Sequence, residues 1–189
     1  MNSVNVLGSV GMVNISKSLL SVLLSTRSCE EERYALAGIH VQRIDNVVTL
    51  TTTDTFQLTN IRIDSEGEDF EVILTKREFM NRILDKGSNA RQAKIDLINL
   101  LDDERFNING KFPKWQNVIP EGCKKLAVEF GSDGVNTHKG YYNINFLKSI
   151  YNLMVEEGVK GYIKKDPSLD PVVFEGENFT YVLSPINPR

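Results

Sequence analysis

Two histidines, His40 and His138, are the side chains of this sequence that can exchange protons near neutral pH without help from their surroundings. The sequence shows no serine or cysteine nucleophile elbow, no Walker loop, no HExxH pattern and no pair of metal-ligating carboxylates. Cys29 and Cys123 lie far apart and outside any CxxC or Cys/His spacing, which favours reduced thiols over a zinc site or a disulfide. These patterns predict a protein that is not an enzyme and needs no metal or cofactor.

The polar pair Thr53-Asp54 is the other place where catalysis could be sought. It follows a run of threonines at a point where the chain must reverse. A carboxylate at such a corner commonly accepts hydrogen bonds from the backbone N–H groups of the turn. We therefore expect Asp54 to hold the turn, and we expect His40, which lies in a predicted strand, to pack or to face solvent.

The elements that position this corner are three antiparallel strands predicted within residues 33–63. Apolar and β-branched residues form two runs, separated by the turn residues Asp45 and Asn46. The members of the two runs are Ala35, Ile39 and Val41, then Val47, Val48 and Leu50. After the corner, Phe56, Leu58 and Ile61 resume the alternation of a strand. The pattern predicts a meander whose third strand begins at the polar corner.

Three amphipathic helices are predicted from apolar residues at helical spacing. They cover residues 15–24, 76–85 and about 143–155. Asn14 or Ser16 can cap the first helix. Thr75 followed by Glu78 forms a capping box for the second helix, and Gly87 is expected to end it.

The remaining apolar runs are predicted to be strands. They lie at 3–13, 70–74, 93–101, 104–108, 125–130, 159–163, 172–175 and 179–183. The order of strand, helix and three strands thus recurs roughly three times with a period of about 65 residues, which indicates an internal structural repeat. In an alternative interpretation, residues 88–140 are an elaboration inside a single domain of two units.

Three segments resemble the bacterial DNA polymerase III beta subunit, the sliding clamp. RYALAGIHV at 33–41 and LTTTDTFQL at 50–58 are similar to the middle domain of that family. KFPKWQNVIP at 111–120 resembles the Phe-Pro-x-aromatic-x-x-Val-x-Pro segment that joins two clamp domains, and YVLSPI at 181–186 resembles the C-terminal tail. The segments stand in the same order as in the family.

The resemblance implies an α+β fold made of DNA-clamp-like repeats of strand, helix and three strands, with sheets on one side and helices on the other. Residues 1–120 would form a clamp-like domain of two repeats, 1–63 and 70–120. Residues 121–189 would form a third clamp-like half-domain.

The resemblance also implies a groove that binds a short peptide of a polymerase or another replication protein. Carried over position by position, its residues are Leu36, Thr53, Thr55, Phe56, Gln57, Leu58, Pro113, Asn117, Val118, Val182, Leu183, Ser184 and Ile186. Thr55 stands where the family usually has glycine, and Gln57 and Asn117 stand where it has arginines. Ser184 and Ile186 replace methionines, which normally make such a groove adaptable.

The resemblance further implies that cations on the polar faces of the helices meet duplex DNA without reading its sequence. The candidates are Lys17, Lys76, Arg77, Arg82, Lys86 and Lys148. The formal net charge of −3 argues against a protein that coats nucleic acid by bulk attraction, but it leaves room for a local basic face. The alternative is that these are ordinary solvated residues.

The resulting hypothesis is a sliding-clamp-like processivity factor. It would form a homo-oligomeric ring that tethers a DNA polymerase or another replication protein to duplex DNA, without catalysis. The alternative is a clamp-fold interaction protein that binds replication proteins without encircling DNA. No apolar run approaches the roughly 18 residues of a membrane span, and no signal-peptide pattern opens the sequence, so we expect a cytoplasmic protein without a membrane partner. The departures from the family pattern favour a phage or another mobile element as its source.

Overall fold

The computed structural model describes residues 12–28, 34–84, 92–97, 111–118, 142, 146–148, 150, 151, 153, 160–163 and 170–185. The strands in these ranges are β1 (Met12–Ser16), β2 (Ile39–Ile44), β3 (Val47–Thr53), β4 (Gln57–Asp64), β5 (Phe70–Leu74), β6 (Gln92–Asp96), β7 (Lys160–Ile163), β8 (Val172–Glu175) and β9 (Phe179–Leu183). The helices are α1 (Lys17–Ser25), α2 (Tyr34–Ala37) and α3 (Lys76–Asn81), with a 3-10 helix at Trp115–Val118. Residues 146–148, 150, 151 and 153 are also helical and are called the late helix here.

Seven strands form one antiparallel sheet in the order β5-β2-β3-β4-β9-β8-β7. The meander predicted from the alternating pattern lies at its centre as β2, β3 and β4. Strand β9 pairs with β4, so that Leu183 lies opposite Gln57 and Phe179 lies opposite Ile61. The sheet therefore runs without a break between the two predicted units, 1–120 and 121–189.

The turn between β2 and β3 has the geometry that a two-residue hairpin requires. Asp45 and Asn46 have φ angles of 51° and 64°. Positive φ at both central residues matches the twist of the flanking strands, and Asp and Asn tolerate it better than most residues. The predicted hairpin turn is confirmed.

A second, two-stranded sheet of β1 and β6 packs with α1. Ser16 caps α1, because its hydroxyl accepts a hydrogen bond from the Leu19 N–H at 3.2 Å. At the other end, Thr52 on β3 donates to the Leu23 carbonyl at 2.8 Å, and Thr26 donates to the Thr59 hydroxyl at 2.9 Å. Buried threonines thus attach the end of α1 to the large sheet.

Helix α3 begins with the predicted capping box. The Thr75 hydroxyl accepts from the Glu78 N–H at 3.2 Å, and the Glu78 carboxylate accepts from the Thr75 N–H at 3.1 Å. The predicted end at Asp85 is wrong, because α3 ends at Asn81. Strand-like contacts replace helical ones there: Ile83 bridges to Ile95, and the Leu84 N–H donates to the Lys94 carbonyl.

Two further predicted boundaries are wrong. Ala35 does not begin a strand, because residues 34–37 form the short helix α2. Alanine and leucine favour helix, and the Ser28 N–H donates to the Leu36 carbonyl at 2.9 Å. Ile15 belongs to β1 and not to α1, because it pairs with Ala93 and the cap falls at Ser16.

The apolar faces meet in one core that joins both sheets, α1, α3 and the late helix. Its largest fully buried side chains include Phe79, Phe174, Phe179 and Tyr181. The predicted strands at 70–74, 172–175 and 179–183 are confirmed, and β7 begins at Lys160. Predictions for residues 3–11, Gly87, 98–101, 104–108, 125–130 and Gly158 lie outside the described residues.

Candidate functional site

A surface cavity of about 170 Å³ lies at the corner between β3 and β4. Its described lining is Leu36, Thr53, Thr55, Phe56, Gln57, Leu58, Pro113, Trp115, Val182 and Ser184. These residues come from α2, the corner, the 111–118 segment and the end of β9, which are distant in sequence. The fold thus brings nine of the predicted groove residues around one cavity, which is called the groove below.

Four predicted groove residues are not in that lining. Leu183 belongs to the core, because successive side chains of a strand point to opposite faces and Val182 takes the groove face of β9. Asn117 is exposed beside the groove. Ile186 and the side chain of Val118 lie outside the described residues. Leu36 lines the groove from α2, and not from the predicted strand.

Trp115 lines the groove although the residue-by-residue prediction omitted it. It packs against Leu58, Val173 and Val182, on the sheet face opposite the main core. Its indole N–H is buried and has no hydrogen-bond partner among the described residues. The aromatic position of the Phe-Pro-x-aromatic segment was the sequence signal that could have identified it.

The 111–118 segment is held against the sheet by an aromatic stack. The rings of Phe112 and His40 lie 4.7 Å apart at an interplanar angle of 13°. His40 is buried, and its Nε2 lies 2.8 Å from Glu71 Oε1. Of the two expectations for His40, packing and exposure to solvent, packing is confirmed. The side chain positions the segment that carries Pro113 and Trp115.

Asp54 holds the corner through its carboxylate. Its Oδ1 accepts from the backbone N–H groups of Phe56 and Gln57, each at 2.9 Å. Thr53 adds a second set of bonds, since its hydroxyl donates to the Gln57 carbonyl at 2.7 Å and accepts from the Thr55 N–H at 3.1 Å. The structural interpretation of Asp54 is confirmed by these contacts.

The corner carries backbone strain at Thr55, whose φ is 83°. A β-branched residue is rare in this region, which glycine adopts without steric cost. The bonds to Asp54 and Thr53 hold Thr55 there. Phe56, which follows it, is 57% exposed at the edge of the groove, and its carbonyl accepts from the Ser184 N–H at 2.8 Å. The strained corner is thereby tied to the segment after β9.

The groove is apolar and neutral. None of its ten described lining residues carries a charge. The side-chain amide of Gln57 is already bonded, with Nε2 donating to Asp54 Oδ2 at 2.9 Å and Oε1 accepting from the Tyr181 hydroxyl at 2.8 Å. Burial, and secondarily the charge of Asp54, raises the pKa of Tyr181, so that its hydroxyl stays a donor. Such a site suits an uncharged apolar group.

The predicted DNA-facing cations that the structure describes lie on the helices or directly beside them. Lys76 and Arg77 are exposed at the start of α3, and Lys148 is exposed on the late helix. Lys17 begins α1 and Arg82 follows α3, both partly exposed. Lys86 lies outside the described residues. That these cations share a face turned to DNA stays a prediction.

The described part of the chain has neither a cluster of metal-ligating side chains nor a helix that could span a membrane. It holds no group of three or more His, Cys, Asp or Glu residues arranged to bind a metal ion. No helix within it has the length and apolar character needed to cross a membrane.

Comparison with solved structures identifies the fold. No protein-family model and no curated protein matches the sequence. The structure is similar to DNA polymerase III subunit beta from Pseudomonas aeruginosa, with a TM-score of 0.61 and 14% identity over 99% of this chain and 69% of that one. The C. crescentus beta sliding clamp matches with a TM-score of 0.62 and 14% identity, over 97% of this chain and 68% of that one. The Bartonella birtlesii clamp bound to griselimycin matches with a TM-score of 0.56 and 17% identity, also over 97% of this chain and 68% of that one.

These similarities define the class: the chain is an α+β protein with the fold of bacterial DNA sliding clamps. At such identities the likeness is one of fold. The proteins from Pseudomonas aeruginosa, C. crescentus and Bartonella birtlesii are beta subunits of DNA polymerase III or sliding clamps, and the chain shares their fold at 14–17% sequence identity.

Proposed function

We propose that this protein is a sliding-clamp-like replication factor that binds a short peptide of a partner protein in the groove. Two observations support the proposal: the clamp fold, and the assembly of one apolar cavity from four distant segments. The second is the stronger, because a fold alone is compatible with many functions. A structure of the C. crescentus clamp has polyethylene glycol bound at its proposed beta-motif tethering region.

The size and chemistry of the groove suit one large apolar side chain of such a peptide. A cavity of about 150 Å³ lined by apolar residues accommodates benzene, and this groove has about 170 Å³. The exposed ring of Phe56 offers an apolar contact at the edge of the groove. The protein itself needs no catalytic group for this role.

In the proposed homo-oligomeric ring, the cations of α1, α3 and the late helix face the duplex DNA. Strands β5 and β7 are the outer strands of the large sheet within the described residues. Pairing of sheet edges between protomers would close the ring and cover those edges.

Selection from a library of random peptides tests the groove. Ser184→Arg places a long side chain in the cavity, whereas Ile44→Arg changes a side chain that is 49% exposed at the far end of the β2–β3 hairpin. We expect peptides that bind the wild type and Ile44→Arg, but not Ser184→Arg. Binding should shift the fluorescence of Trp115, the sole tryptophan of the sequence. If every selected peptide binds all three proteins equally, the groove is not the site.

Assembly on DNA tests the ring. Size-exclusion chromatography with light scattering should give a mass that is a multiple of the 21.4 kDa chain. A ring loaded on nicked circular DNA should stay with it in high salt and be released when the circle is linearised. A monomer that binds groove-selected peptides would instead support the alternative, an interaction protein of clamp fold that does not encircle DNA.

A further inference from the structure

A chain of hydrogen bonds, buried at Tyr181 and partly buried at the corner, runs from the late helix to the groove. The Tyr181 hydroxyl lies 3.3 Å from the Phe146 carbonyl and 2.8 Å from Gln57 Oε1. The Gln57 Nε2 donates to Asp54 Oδ2, and Asp54 Oδ1 accepts from the N–H groups of Phe56 and Gln57. The chain thus crosses from β9 to the corner, and the two residues it joins are 124 positions apart in sequence.

The geometry leaves one orientation for the Gln57 amide. A carboxylate only accepts hydrogen bonds when ionised, so the NH₂ group must face Asp54 and the carbonyl must face the tyrosine. Tyr181 is 0% exposed and Gln57 is 4% exposed, so water cannot replace a lost partner. Loss of the Tyr181 hydroxyl therefore leaves the buried Gln57 Oε1 without its partner, and Gln57 in turn bonds to the partly exposed Asp54 carboxylate.

We propose that Tyr181 is a positioning residue that acts through Gln57 and Asp54 to hold the corner in its groove-forming conformation. The same hydroxyl senses the late helix, because its single proton is shared between the Gln57 and Phe146 oxygens. A shift of that helix, which also carries Lys148, alters the hydrogen bonding of the corner. That the groove binds a peptide rests on the proposed function. The new element is that the groove and the late helix are coupled through the Tyr181 hydroxyl.

Backbone hydrogen exchange measures this coupling without any ligand. Tyr181→Phe removes the hydroxyl and keeps the ring in the core. We expect the amides of Phe56 and Gln57 to exchange about tenfold faster, as the loss of one hydrogen bond of ordinary strength implies, while the amides of β2 and β3 change only with global stability. The carbonyl ¹³C resonance of Phe146 should shift in the same variant.

Thr51→Val is the matched control. It removes a different buried hydroxyl, which accepts from Asn60 Nδ2 at 2.8 Å and lies outside the groove. The control should lower overall stability without accelerating exchange at the corner selectively. Equal changes at the corner in both variants, or no change there in Tyr181→Phe, would overturn the inference.

Gln57→Glu adds a readout that a merely structural role would not give. At about pH 8 two carboxylates would face each other and loosen the corner, and at about pH 5 a shared proton would restore the bond. Among the described residues, Asp54 and Tyr181 are the titratable groups bonded to this side chain. Corner exchange in the variant should therefore depend on pH, whereas a pH-independent corner contradicts the proposal. If the exchange rates of the variants change as expected but the wild type binds no peptide, only the proposed function is contradicted.

Discussion

Single residues at the corner show how a tight turn is held when its sequence is unfavourable. Thr53 and Asp54 supply the bonds that keep Thr55 at positive φ. Sequence reasoning could assign Asp54 this role, because short polar residues bond to nearby backbone groups in a recognisable pattern. It could not find the bond between Gln57 and Tyr181, since nothing local encodes a contact between residues so far apart.

Thr55→Gly should stabilise the protein by about 0.5–1 kcal/mol. Relief of the left-handed strain outweighs the added freedom of glycine in the unfolded chain. Urea unfolding of the variant measures the change. Thr49→Gly, in the interior of β3, is the control and should destabilise, because it weakens a regular strand. A loss of stability in both variants would show that the corner is not strained.

The stability of the protein should fall as pH rises above about 10. Burial raises the pKa of Tyr181 above its ordinary value of 10.0. In that range the unfolded chain loses the tyrosine proton while the folded chain keeps it, so unfolding is favoured by up to about 1.4 kcal/mol per pH unit. Unfolding free energies at about pH 9 and pH 11 should differ more in the wild type than in Tyr181→Phe. An identical slope in both would contradict the assignment.

Elements with strong local signals were predictable from the sequence. The β2–β3 hairpin and the capping box of α3 follow from the turn residues Asp45-Asn46 and from the Thr75–Glu78 spacing. The boundaries of the elements were less predictable. Strand-like contacts with β6 end α3 at Asn81, and pairing with Ala93 places Ile15 in β1. Both errors arise where a tertiary partner overrides a helical apolar pattern.

Thr75→Ala should destabilise the protein by about 1 kcal/mol, because it removes the hydroxyl that accepts the hydrogen bond from the Glu78 N–H. Only the reciprocal bond from the Thr75 N–H to the Glu78 carboxylate would remain of the capping box. Thermal or urea unfolding gives the value. Thr75→Ser retains the hydroxyl and should remain close to the wild type. A short helix of six residues depends on such a cap, so a neutral Thr75→Ala would mean that packing of Phe79 alone fixes α3.

The architecture of the whole molecule could be predicted only through the resemblance of three short segments to a known family. Alternation and periodicity gave strands and helices, but not the order of seven strands or the pairing of β4 with β9. Nine groove residues were predictable because they stand in those three segments. The ring, the DNA-facing side, the domain division, the cytoplasmic location and the phage source stay predictions.

The stack of Phe112 on His40 attaches the 111–118 segment to strand β2 of the large sheet. Phe112→Ala should lower the free energy of unfolding by about 2 kcal/mol, since a partly buried aromatic contact is lost. It should also expose Trp115 to water and shift its emission to longer wavelength. Lys111→Ala changes an exposed neighbour and should do neither. An unchanged Trp115 spectrum in Phe112→Ala would show that other contacts place the segment.

The pairing of β9 with β4 has a consequence for synthesis on the ribosome. When β2 to β5 have emerged, β4 still lacks its neighbour, and that neighbour is made only when residues 179–183 are translated. Until then the nascent chain presents an open strand edge bearing Leu58, which invites pairing with other chains. Chaperone occupancy during translation should therefore persist from the appearance of β4 until β9 is released.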